Sequence, residues 1–115
     1  MCLYQSWLVE PQEEPRRNLK VIASHIEIPV LQGFMARQWQ RSGKKYPLNQ
    51  RCLQITSELL DELESTIKNG AINKEACNPR WGTHHDADIP KVLHAVRLVR
   101  NVLSNDRKVY YSCFY

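Results

Sequence analysis

The spacing of apolar residues changes several times along the chain, and each change marks an element. Residues 2–9, CLYQSWLV, are rich in aromatic and large apolar types and stop just before a proline, which predicts a strand. Residues 10–18, EPQEEPRRN, carry two prolines and five charges without periodicity and read as a loop or arm. LKVIASH at 19–25 suits either a short strand or the lead-in to a helix. From Pro29 onward, Val30, Leu31, Phe34, Met35 and Trp39 recur at helical spacings. Pro29 belongs in the first turn of that helix, and Gly43 is its left-handed cap after Ser42. Gly33 inside it implies a close approach of another backbone, or else costs about 1 kcal/mol of helix stability.

A second helix is expected from Asn49 as N-cap, with Leu48 and Leu53 as a hydrophobic staple. Its stripe is Leu53, Thr56, Leu59, Leu60, Leu63 and Ile67, and Lys68-Asn69-Gly70 closes it. The stretch from Ala71 to Asp88 then reads as a long loop, of the kind that is often functional or partly structured. A third helix follows, opened by Asp88 as N-cap with Pro90 in its first turn and striped by Ile89, Val92, Leu93, Val96, Val99 and Leu103. KVYYSCFY at 108–115 is a closing strand. An isolated strand leaves its backbone unpaired, so the two strand-like ends are expected side by side. The predicted fold is a single α+β domain over 1–115, with three helices on a small antiparallel sheet that contains both terminal strands.

Composition narrows the class. The 115 residues, 43% hydrophobic and 24% charged, describe a folded domain able to bury one core. No run approaches the roughly 20 apolar residues of a membrane span, and the start lacks the basic and apolar segments of a signal peptide. The expectation is a cytoplasmic protein without a membrane role. Cys2, Cys52, Cys77 and Cys113 form no Cys-x-x-Cys pair and read as scattered thiols, although Cys2 and Cys113 come near each other if the chain ends pair. The net charge of +4 is unevenly placed. Residues 16–51 hold eight bases and one acid, whereas 58–64 hold Glu58, Asp61, Glu62 and Glu64 and no base. A bipolar surface orients a partner without naming it.

The most chemical-looking stretch is GTHHDADIP at 82–90. Consecutive histidines in an extended segment point apart, so His84 and His85 are poorly placed to share an ion, and Asp86 and Asp88 are good helix-start residues. Cap and loop is the reading preferred over a metal-dependent hydrolase built on His84, His85 and Asp86. The acids at 58–64 read first as a solvated helix face. There is no glycine-rich phosphate loop and no nucleophile-elbow serine, so no catalytic residue, metal or cofactor is called for. Arg37, Arg41, Lys44, Lys45 and Arg51 interleave with Trp39 and Tyr46, the mixture of charges and rings that single-stranded nucleic acid requires. Trp39 falls on the apolar stripe, however, and is expected in the core. Arg97 and Arg100, with Lys91 and His94, make a second basic row on the last helix.

The order of these motifs resembles a family of small uncharacterised bacteriophage and prophage proteins. It rests on LYQSW, EIPVLQGFMARQW, LNQRCLQITSELLDELE, the loop Gly82, Thr83 and Asp86 before the last helix, and the paired Tyr110 and Tyr111 of the closing strand. The family's aromatic, basic opening of the first helix is replaced here by IPVLQGF. The resemblance implies context: small phage accessory proteins without an enzymatic motif commonly bind and block host machinery, including defence systems such as CRISPR complexes. The first expectation is therefore an inhibitor or adaptor that binds a host protein or protein complex. Its candidate contacts are Arg37, Arg41, Lys44, Lys45, Arg51, Glu58, Asp61, Glu62, Arg97 and Arg100. The second is a nucleic-acid-binding regulator using the basic 37–51 segment, and the third is the small hydrolase.

Overall fold

The structure, a computed structural model, describes residues 3–10, 19–75 and 84–115. Strands β1 (Tyr4–Val9), β2 (Lys20–Ile26), β3 (Cys52–Ile55) and β4 (Val109–Phe114) form one antiparallel sheet in the order β2-β1-β4-β3. Helices α1 (Pro29–Arg41), α2 (Ser57–Lys68) and α3 (Asp88–Leu103) and a short 3-10 helix, Ala71–Glu75, pack against it. The expected α+β class is observed. The terminal strands lie side by side, with Trp7 opposite Tyr111.

Alternation within the strands separates the two faces of the sheet. Gln5, Trp7 and Val9 of β1, Leu53 and Ile55 of β3, and Val109, Tyr111 and Cys113 of β4 are buried beneath the helices. There they meet Leu31, Phe34 and Met35 of α1, Leu60 and Leu63 of α2, and Val96 and Val99 of α3. Trp7 and Tyr111 pack edge to face at 5.5 Å. Buried polar groups in this core are paired. The Gln5 side chain accepts from Ile28 N–H at 2.8 Å and donates to Ile28 O and to the Tyr111 hydroxyl, both at 3.0 Å. That hydroxyl donates to Gln32 at 2.6 Å, and Gln32 donates to the Cys113 sulfur at 3.2 Å.

The outward face has three rows running across the strands. Ile26, Tyr4 and Phe114 are opposite one another in the first. Ser24, Ser6, Ser112 and Cys52 make the second. Val21, Leu8, Tyr110 and Gln54 make the third.

Several local expectations change. LKVIASH is a strand, since it completes β1 as an edge partner; the pairing steps by one between Trp7 and Leu8 and leaves Ile22 as a bulge. The cap of the second helix lies seven residues beyond Asn49. Residues 52–55 are taken by β3, because the alternation of Leu53 and Ile55 matches the free edge of β4. Thr56, extended at φ −118°, is the cap of α2, and its hydroxyl accepts from Leu59 N–H at 3.1 Å. Asn49 instead ties down the chain end, exchanging two 3.0 Å hydrogen bonds with the Tyr115 backbone. Asp88 is the first helical residue of α3 and not its cap: Ala87 occupies that position in helical conformation with no side-chain bond. The loop expected over 71–88 begins as the 3-10 helix.

The expected arm at 10–18 and the loop residues 76–83, with Trp81, Gly82 and Thr83 of the resemblance, fall outside the described residues apart from Glu10, as does Cys2 and with it the question of its approach to Cys113. Cys113 is a buried free thiol, and burial pushes its pKa up. Gly33 does mark a close approach: a methyl group added there would collide with the Glu75 carbonyl of the 3-10 helix. No helix among the described residues is long and apolar enough to cross a membrane.

Candidate functional site

The charged faces singled out in the sequence are largely turned toward each other. Asp61 and Glu64 of α2 hold Arg100 of α3 at 2.7 and 2.8 Å. Their hydrogen bonds, Glu64 first, raise the guanidinium pKa. Glu62 holds Arg41 of α1 at 2.8 Å and accepts from Gln38. Arg37 pairs with Glu75 at 2.7 Å and lies over the Phe34 ring. Helical spacing puts Asp61 and Glu64 on one flank of α2 and Glu62 on another, so a single acidic run laces both neighbouring helices. Five of the ten candidate contacts thus stand in ion pairs within the fold: Arg37, Arg41, Asp61, Glu62 and Arg100. Glu58 and Arg97 are exposed on their helices.

Lys44, Lys45 and Arg51 gather differently. Gly43, at φ 90°, turns the chain out of α1 after Ser42, and Pro47-Leu48 brings it back toward β3. Trp39 is buried, as expected, yet its indole N–H donates to Tyr46 O at 2.7 Å and its ring meets the Tyr46 ring edge to face at 5.8 Å. Lys44 lies 5.4 Å from the Trp39 ring centre, and Arg51 lies 4.0 Å from that of Tyr46. The result is a fixed series of cation, ring, ring and cation, with Tyr46 44% exposed and Lys45 exposed beside it.

Next to that series a groove of about 540 Å³ opens along the free edge of β3. Leu53 and Gln54 line the strand side, Trp39 and Lys44 the helix side, and Leu19 and Tyr110 the far end. Among the described residues Lys44 is its only charged lining residue. β3 carries no charge, whereas β2, the opposite edge, has Lys20 and the bulge at Ile22. A charge and a bulge are among the devices that keep a sheet edge from pairing with other chains; β3 has neither, and is short at four residues. The sequence reading missed this groove because it placed Leu53 in a helix; the apolar positions 53 and 55, followed by a capping threonine, were the available signal.

The histidine stretch stays apart from the groove. His84 contacts Asp86 at 3.1 Å, with its side chain 15% exposed, while His85 is exposed. Among the described residues no three His, Cys, Asp or Glu side chains converge as a metal site. His25, on β2, accepts the indole N–H of Trp7 at 3.0 Å, and burial lowers its pKa.

No family model, curated protein or solved structure matches the chain.

Proposed function

We propose that the chain is a small phage-type accessory protein that works in the cytoplasm of a bacterial host by binding a protein or protein complex there, host defence complexes included. The β3 edge and its Lys44–Arg51 rim are the docking site. The observation that carries this reading is an uncharged edge strand without a bulge, beside a groove whose only charge among the described residues is a lysine. An extended segment adds to such an edge through its main chain. Lys44, Lys45 and Arg51 favour a segment that carries acidic side chains. The phage context comes from the motif resemblance, and the mode of action from the groove.

The test is an affinity capture from host lysate with and without nuclease, using the native chain and a Lys44→Glu, Arg51→Glu variant. One nuclease-resistant partner in near-equal amount, lost with the variant, is the expected result. The same partner captured equally by both proteins removes this groove as the site.

The stacked Lys44, Trp39, Tyr46 and Arg51 favour a second reading, a single-stranded nucleic acid interface. Random-sequence oligonucleotides bound with an affinity that falls steeply with salt would establish it.

A further inference from the structure

We propose that the outward face of the sheet is the interface of a homodimer, its occupant a second copy of this chain. Of the six large hydrophobic side chains that are exposed among the described residues, four lie here: Ile26 at 66%, Val21 at 59%, Phe114 at 55% and Tyr4 at 49%. Strand alternation alone accounts for one open face on an antiparallel sheet, but open faces are normally polar. This one carries no acidic, basic or histidine side chain within the strand bounds. Charges begin only past the strand ends, at Glu10, Glu27 and Lys108.

The absence of charge selects the occupant. A partner recognised by its charge finds nothing to pair with here. A second copy, despite the net +4 of each chain, meets the face without like-charge repulsion. The pattern is also self-complementary. Across β2, β1 and β4 its rows run apolar, hydroxyl, apolar, symmetric about the serine row, with Cys52 and Gln54 added at the β3 end. A twofold axis lying in the interface, through that row and either along it or along the strands, sets hydroxyl row against hydroxyl row and apolar rows against apolar rows. A twofold interface requires that kind of match, because one surface must serve as both partners.

Size sets the expected strength. Strands about 4.8 Å apart, with outward residues about 6.8 Å apart along each, give a patch of roughly 20 by 20 Å. Counting side-chain relief, a pair of such faces buries about 1,000–1,200 Å², the low end for a specific interface. An interface of that size belongs with the weak, reversible ones.

Sedimentation equilibrium of the full chain from about 1 μM to about 1 mM tests this. The expected result is a monomer–dimer equilibrium whose midpoint rises at least tenfold with Tyr4→Lys and with Phe114→Lys, and is unmoved by Arg97→Glu on the exposed side of α3. Circular dichroism checks that each variant folds. Should the lysine variants not fold, a chain with Ser6→Cys and Cys52→Ser, treated with a short bis-maleimide near the midpoint, is expected to cross-link through position 6. A monomer mass at every concentration overturns the proposal. A midpoint indifferent to both lysine substitutions, or the absence of a cross-link at position 6, does so as well.

Discussion

His25 and Tyr111 show how single side chains hold the strands to one another and the sheet to α1. The His25 ring accepts the indole N–H of the fully buried Trp7, so it must stay neutral at the accepting nitrogen. Burial lowers its pKa from the usual 6.5, with Lys91 adding to the effect and Asp88 opposing it. A histidine with a depressed folded-state pKa gives its full stability above the unfolded value of 6.5 and loses it as pH falls through the folded value. Urea midpoints are therefore expected to drop as pH falls below about 6.5 in the native chain, and to drop less in His25→Leu. Equal slopes for the two proteins would exclude His25 as the source. The Tyr111 hydroxyl accepts from Gln5 and donates to Gln32, linking β1, β4 and α1. Tyr111→Phe leaves a buried Gln32 oxygen unpartnered and is expected to cost about 1–3 kcal/mol in equilibrium unfolding. A change within measurement error would mean that the network relaxes around the loss. Gly33→Ala is expected to be worse than either, since its methyl group meets backbone rather than a mobile side chain. A melting temperature at or above that of the native chain would refute the close approach.

At the scale of elements, legibility followed the range of the forces involved. α1 was readable almost to the residue, because its proline, apolar spacing and Gly43 all act within a turn or two. α3 was readable for the same reason, although Asp88 was assigned one position too early in its role. β2 stayed ambiguous and β3 was misread, since both strands owe their state to partners far away in sequence, Tyr4–Val9 and Val109–Ser112. Locally, Leu53 serves a helical stripe as well as a strand face, and only the vacant edge of β4 decides between them. The groove depends on β3, so its lining from Cys52 to Gln54 was hidden in the sequence while its Lys44 and Arg51 rim was not. The shifted helix start is open to test. Thr56→Ala is expected to destabilise the fold by about 1 kcal/mol, with Thr56→Ser close to native. An equal loss in both would mean that the hydroxyl bond to Leu59 is not what starts α2.

For the molecule as a whole, the separation of charge along the chain has a structural use that a bipolar docking surface does not require. Asp61, Glu62 and Glu64 hold Arg100 and Arg41, so α2 is laced to both α3 and α1. Each pair is partly exposed and worth at most about 1 kcal/mol, and salt weakens it. Pairing offsets the charge of these side chains although Asp61 and Arg41 stay exposed, which sets them apart from the Lys44–Arg51 rim at the β3 edge and the uncharged outward face of the sheet. A face that mimics nucleic-acid phosphates would keep its carboxylates unpaired, and here three of the four acids between 58 and 64 are engaged within the fold. The two roles separate experimentally. Asp61→Asn with Glu64→Gln is expected to lower stability by up to about 1–2 kcal/mol at low salt, and by less in about 1 M salt. Capture of a partner through the β3 groove is expected to persist. Unchanged stability together with loss of the captured partner would show that these carboxylates face outward to a partner in solution, and the docking site would then move from the β3 edge to α2.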